Sequence, residues 1–258
     1  MRQKKHHFFV LKRNSLKIFA ICLLCFLVLF VSCGGESIAS AFFYQKRKIP
    51  IYCVKREEKV VALSFDAAWG SDKTDRILQI LSENDITATF FLVGMWVDKN
   101  EDLVRKIDAQ GLCIGTHSNT HPDFTKLSST QMEQELTISI KKIENITGKK
   151  VSLFRAPYGA YSNSVMSVSE SLGLQVIQWD VDSLDWKGIS SEQISSNILK
   201  KVKNGSIILC HNNADHILEA LPSVISTLKM RGYTFSRIDD LVFKDNYTID
   251  NSGMQIKN

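Results

Sequence analysis

The chain has 258 residues, 44% hydrophobic and 23% charged, and a formal net charge of +5. Six positive charges (Arg2, Lys4, Lys5, Lys12, Arg13, Lys17) fall in residues 1–17 with no acid among them, which leaves the remainder at −1. A near-neutral body gives no electrostatic basis for nucleic-acid binding, and its three cysteines, Cys53, Cys113 and Cys210, are too few and odd in number for a disulfide framework.

Behind the basic segment, Ile18 to Cys33 is an uncharged apolar run. That order is the pattern of a signal sequence or an N-terminal membrane anchor. The run is short against the about 20 residues of a span. It reaches that length only by including Gly34, Gly35 and Glu36, or by snorkelling of Lys17. We read residues 1–17 as a basic cytoplasmic segment and 18–40 as a signal-anchor helix, with the body outside the cell membrane. Cleavage after Ala39 or Ala41, with secretion, and lipidation at Cys33 are the alternatives. Residues 41–57 read as a linker.

From Lys59 strands and helices alternate. Apolar runs predict strands at Val60–Phe65, Thr87–Val93, Leu112–Thr116, Ser152–Phe154, Leu174–Val181, Ser206–Cys210 and Tyr233–Ser236. Helical spacing fills the gaps at Lys73–Glu83, Glu101–Ala109, Ser129–Ile146, Asn163–Leu172, Ser191–Val202 and Ile217–Met230. This repetition implies a parallel sheet with helices outside. About seven near-continuous apolar strands suggest a distorted (β/α) barrel; a doubly wound open sheet is the alternative. No GxGxxG follows the first strand, so dinucleotide binding is unsupported. The barrel domain is expected over 58–243, with 244–258 as a C-terminal tail.

Asp66, His117, Arg155, Asp182 and His211 each follow directly on an apolar strand. In a parallel barrel such strand ends open on one face, where barrel enzymes keep their active sites. One such residue can simply cap the next helix. Five, with two histidines and an arginine among them, point to a hydrolytic site. His117 and His121, four apart, can face one point in a helical turn or tight loop, and neutral imidazole is a common zinc ligand.

Five ordered segments, Ser64-Phe65-Asp66, His117-Ser118-x-x-His121, Arg155-Ala156-Pro157-Tyr158-Gly159, Asp182-Ser183-Leu184-Asp185-Trp186 and Leu209-Cys210-His211, resemble the motifs of carbohydrate esterase family 4, the NodB-like polysaccharide deacetylases. The variant Ser64-Phe65-Asp66-Ala67-Ala68-Trp69-Gly70 and the basic, anchored N-terminus are most similar to the membrane-anchored sporulation deacetylases. The resemblance covers roughly residues 58–243. It implies hydrolysis of N-acetyl groups of GlcNAc or MurNAc in peptidoglycan or a related cell-wall glycan, by a monomer. By motif, Asp66 resembles the general base and Arg155 the group that orients it. His117 and His121 resemble metal ligands, for zinc or else cobalt or manganese. His211 resembles the general acid, with Asp185 as its partner carboxylate and Asp182 second. Tyr158 resembles the oxyanion-hole position through its backbone amide, and Trp186 and Leu209 the lining of the sugar pocket. From the residues alone, Asp182 equally suits a turn and Trp186 core packing.

One position departs from the family. Its first motif usually carries a second aspartate that binds metal, and here that residue is Ala67. A catalytic zinc ordinarily keeps three protein ligands. A weakly held metal, catalysis without a tightly held one, or a retired enzyme that keeps only glycan binding are the readings this leaves open.

Overall fold

A computed structural model describes residues 13–30 and 47–258. The chain divides into two units, Met1–Arg47 and Lys48–Asn258. In the first, helix α1 covers Arg13–Phe30. Arg13, Asn14, Ser15 and Lys17 occupy its first turns, so its apolar stretch begins only at Ile18. Ile18, Phe19, Ile21 and Leu24 are exposed. With 18 residues the helix rises about 27 Å, against a hydrocarbon core of about 30 Å. Among the described residues no helix is long and apolar enough to cross a membrane. Of the stretch 18–40 expected as a signal-anchor helix, Ile18–Phe30 lies in α1, and the remainder lies outside the described residues.

The second unit carries strands β1 (Cys53–Val54), β2 (Val60–Ala67), β3 (Thr89–Leu92), β4 (Cys113–Thr116), β5 (Leu153–Phe154), β6 (Gln175–Val176), β7 (Val181–Asp182), β8 (Ile207–His211), β9 (Thr234–Phe235), β10 (Tyr247–Ile249) and β11 (Met254–Lys257). Its helices are α2 (Thr74–Glu83), α3 (Gly94–Lys99), α4 (Glu101–Ala109), α5 (Ser129–Thr147), α6 (Asn163–Ser171), α7 (Ser191–Lys201), α8 (Ile217–Met230) and α9 (Ile238–Leu241). The main sheet runs β6-β5-β4-β3-β2-β8-β7, all parallel, and β9 joins the first two residues of β2. These seven strands curl into a half-barrel, as the alternation predicted.

Strand alternation explains both cores. Val61, Leu63, Phe65 and Ala67 share one face of β2 and pack with the helices in the larger apolar cluster. Ala62, Ser64 and Asp66 face the other way; Ala62 joins Phe91, Cys113, Leu153, Ile177 and Ile207 in a second cluster that fills the barrel. Serine caps start three of the outer helices: Ser162 on α6, and Ser128 with Gln131 on α5 and Ser190 with Gln193 on α7, the last two as reciprocal capping boxes.

Three features depart from expectation. Helix α3 follows β3 immediately, too short to show a period. The strand expected over Leu174–Val181 is two strands, β6 and β7, on opposite edges of the sheet. Asp180 causes the split: its carboxylate accepts hydrogen bonds from Ser206 Oγ and Ile207 N–H, both at 2.9 Å, and so draws the chain across to β8. Finally, residues 48–57 and 244–258, expected as linker and tail, belong to the compact unit. Strand β1 pairs parallel with β11, which pairs antiparallel with β10. Ile51 and Val54 are buried in the barrel cluster, a burial that contributes about 1.5–3 kcal/mol for each such side chain.

Candidate active site

At the carboxyl ends of the strands a cleft of about 790 Å³ opens, lined by Asp66, His117, His121, Asp185, Leu209 and His211 among others. Asp66 ends the inward-facing series of β2 and is 6% exposed. Its Oδ1 accepts from Arg155 Nη1 at 2.8 Å, and its Oδ2 lies 3.6 Å from His117 Nε2. Burial alone would raise its pKa, but the charge of Arg155 and the hydrogen bond it donates outweigh burial and hold the carboxyl below its ordinary value.

Arg155 is fully buried. Besides Asp66, its Nη2 donates to Ser64 Oγ at 3.0 Å and to the Gln178 carbonyl at 3.1 Å. Its guanidinium lies over the Phe91 ring, 4.2 Å from the centroid, a contact that suits a delocalised cation. The Arg155 carbonyl is 2.7 Å from His117 Nδ1. A carbonyl only accepts, so Nδ1 carries the proton and Nε2 turns a lone pair toward Asp66. Burial, the largest influence, lowers the pKa of His117 despite the opposing charge of Asp66, so this ring is neutral.

His117 and His121 come together in a tight loop, not a helical turn. Ser118 and His121 both adopt positive φ, 73° and 62°. The His121 N–H donates to Ser118 Oγ at 2.9 Å. Glu135 holds the loop by accepting from Asn119 N–H and Thr120 N–H at 2.9 and 2.8 Å. Gly94 allows the close approach: a Cβ there would stand 2.4 Å from Asn119 Oδ1. The two imidazoles lie 4.9 Å apart between centroids, and His121 also meets Trp69 at 4.6 Å and Tyr158 at 4.7 Å. Burial, then the proximity of His117, lowers the His121 pKa to about 4.

His211 is treated in the opposite way. Its Nδ1 lies 2.7 Å from Asp185 Oδ1, and its backbone N–H donates to Asp185 Oδ2 at 2.8 Å. Burial works against its charge, but the hydrogen bond and charge of Asp185, with Asp66 and Asp182 behind, raise its pKa above the ordinary value. Of the two carboxylates expected as its partner, the fold puts Asp185 in contact. Asp182 Oδ1 instead accepts from Leu184 N–H at 2.8 Å, which forms a turn.

Tyr158 adopts φ 61°, a sharp left-handed turn after Pro157, and its side chain is 69% exposed. Trp186 is 60% exposed at the rim, which decides against core packing. Leu209 lies buried in the cleft wall. Sequence reasoning missed Ser64, Gln178 and the exposed Trp69. The first two had a signal, as polar residues inside apolar runs; Trp69 had none beyond its place after the first motif.

Among the described residues no group of three His, Cys, Asp or Glu side chains is placed to hold a metal ion. The donor set fits a divalent ion in part. Both imidazoles are neutral, and His121 Nδ1 is buried without a partner, as an unfilled ligand atom would be. Ala67 supplies no third ligand, and it faces the outer apolar layer with Phe65 and Leu92.

Residues 54–177 match the family described as polysaccharide deacetylase. The chain is 34% identical over 198 residues to the peptidoglycan-N-acetylmuramic acid deacetylase PdaA of Bacillus subtilis, covering 75% of each. It is 32% identical over 193 residues to the uncharacterized protein YlxY of the same organism, covering 75% of this chain but only 60% of YlxY. Wild-type BA3943 of Bacillus anthracis, a CE4 family pseudoenzyme, superposes with a TM-score of 0.72 at 32% identity, covering 81% of this chain and 73% of that one. A BA3943 mutant with restored enzymatic activity gives 0.73 at 35% identity, covering 76% and 71%. The motifs, the half-barrel and these likenesses agree: the chain belongs to the polysaccharide deacetylase family, carbohydrate esterase family 4, whose hydrolases cleave N-acetyl amides.

Proposed function

We propose that this protein removes N-acetyl groups from amino sugars, GlcNAc or MurNAc, in cell-wall peptidoglycan or a related glycan, outside the cell membrane and held to it by its N-terminal segment. One observation carries the reading. The same cleft favours the ionised form of a carboxylate and the protonated form of an imidazole, Asp66 through Arg155 and His211 through Asp185. A base and an acid poised in opposite states are what amide hydrolysis needs.

Asp66 takes a proton from water as its oxygen bonds to the acetamide carbon. The backbone amide at Tyr158 stabilises the oxyanion. His211 gives its proton to the nitrogen as the carbon–nitrogen bond breaks, which releases acetate and a free amine. Trp186 and Leu209 offer apolar surface to the pyranose. His117 and His121 are the residues that would hold a divalent ion, zinc or else cobalt or manganese; such an ion polarises the acyl oxygen and lowers the pKa of water when bound.

A second reading has specific support. Ala67 and the likeness to BA3943 favour a catalytically silent, anchored glycan-binding module. Acetate release from N-acetylated peptidoglycan and from chitooligosaccharides separates the two, with the protein stripped of metal and then given zinc, cobalt or manganese. Release that depends on added metal and vanishes in Asp66→Asn is the expected result. Glycan binding with no release under any metal would establish the silent module.

A further inference from the structure

The half-barrel has an opening between its edge strands β6 and β7, and the segment Ile177–Asp180 crosses it. Ile51 lies alongside that crossing as one isolated parallel bridge. Its N–H donates to the Val176 carbonyl at 3.0 Å, and its carbonyl accepts from the Gln178 N–H at 2.7 Å. Three residues later Val54 N–H donates to the Gly205 carbonyl at 3.0 Å, at the foot of β8. Gly205, at φ +74°, admits this approach: a Cβ there would stand against the Val54 carbonyl oxygen. The stretch 50–54 therefore reaches from the end of β6 to the foot of β8, the strand that carries the other edge, β7.

The crossing also reaches the cleft. Gln178 is 1% exposed, and its backbone N–H, its carbonyl and its side-chain Nε2 each make a hydrogen bond. Its N–H meets Ile51. Its carbonyl accepts from Arg155 Nη2 at 3.1 Å. Its side-chain Nε2 donates to the Gly159 carbonyl at 2.9 Å, next to the strained Tyr158 turn. Trp179, the next residue, lines the cleft. The family match begins at residue 54 and ends at 177, so both Ile51 and Gln178 lie outside it.

We propose that residues 50–54 are the closing stave of the barrel, and that Ile51 and Gln178 are positioning residues which hold Arg155 and the Tyr158 turn in register for the acid/base cleft. The proposal rests on the deacetylase reading for its effect on rate, but not for its effect on structure. A buried residue bonded at its N–H, its carbonyl and its side-chain Nε2 transmits a shift of the stave directly, because leaving any of those groups unpaired is costly.

The test uses the full chain carrying Gln178→Met, which keeps side-chain volume and loses only the bond to Gly159. Amide hydrogen exchange is followed across residues 156–160 and 176–180, beside kcat and KM for acetate release. Faster exchange at 156–160, with kcat down about 100-fold at unchanged KM, is expected, since small misplacements of reacting groups cost about that much. Unchanged exchange at 156–160 overturns the proposal, and so does a rise in KM at unchanged kcat, which would mark a substrate contact. Ile51→Ala probes the stave with its backbone bonds retained; it should speed exchange of the Gln178 amide and lower kcat together, and protection equal to wild type overturns the stave. If the wild type releases no acetate from any substrate, the deacetylase reading fails by itself and the exchange results alone decide the positioning.

Discussion

His117 and His211 leave strands β4 and β8 on either side of β2, and both look toward Asp66, yet the fold shifts their proton affinities in opposite directions. On the β4 side burial dominates: His117 points its protonated nitrogen at a carbonyl, and His121 is enclosed by Trp69, His117 and Tyr158 with its Nδ1 unpaired. On the β8 side a carboxylate dominates: Asp185 grips both the ring and the backbone of His211. The same side chain becomes a lone-pair donor in one half and a proton donor in the other. At the more deeply buried His117 burial outweighs the neighbouring Asp66, whereas at His211 the direct contact with Asp185 outweighs burial.

The strongest way to break this comparison is to remove what both halves share. Arg155→Met should abolish acetate release and cost about 3–5 kcal/mol of stability, because it leaves Asp66 buried and unpaired. Urea unfolding measures it, and a loss below about 1 kcal/mol would mean that the pair is not a structural pivot. Next in size, Asp185→Asn removes the charge from the β8 half. Turnover should fall by about 100-fold or more, the range for losing general acid catalysis. Because the His211 pKa is raised above 6.5 in the fold, its stabilising contribution is complete below pH 6.5 and is lost as pH rises through the folded value. In Asp185→Asn that alkaline decline should vanish and the alkaline limb of the rate profile should move to lower pH. An unmoved limb would reject His211 as the acid.

His121 predicts a slope of the other sign. Its folded pKa of about 4 lies below the ordinary 6.5, so the unfolded chain binds more protons between these values and stability falls as pH drops through that window. The decline should be roughly 1–2 kcal/mol, allowing for the ring's partial exposure to solvent. Unfolding of His121→Ala followed from pH 7 to 4 should be correspondingly flatter; a slope equal to wild type would contradict the neutral-imidazole half. The smallest effect belongs to the rim. Trp186→Ala should leave the melting temperature unchanged and raise KM severalfold, matching about 0.5–1.5 kcal/mol for an aromatic contact. A change in kcat with constant KM would place Trp186 in the chemistry instead.

Much of this was legible from local pattern. Asp66, Arg155 and His211 could be placed on one face because each ends an apolar run in a parallel alternation, and parallel strands share a direction. Asp185 could be favoured over Asp182 only through the family resemblance; spacing leaves them equal, and the turn that Asp182 makes with Leu184 N–H depends on local backbone angles. The split at Leu174–Val181 was hidden because a continuous apolar run looks the same whether it stays in one strand or leaves it. What divides it is Asp180 meeting Ser206 and Ile207, residues far along the chain.

By itself the sequence determined the strand–helix order, the inward and outward faces of each strand and the ordered polar strand ends, since period and composition are local properties. It also determined the missing ligand at Ala67. Tertiary structure alone decided that residues 48–57 and 244–258 belong to the barrel unit, that Gln178 links the stave to Arg155, and that two histidines in one cleft have their proton affinities shifted in opposite directions. Those outcomes depend on which distant groups are brought within hydrogen-bonding reach and how much water is excluded around them, and neither quantity is a property of any stretch of chain taken alone.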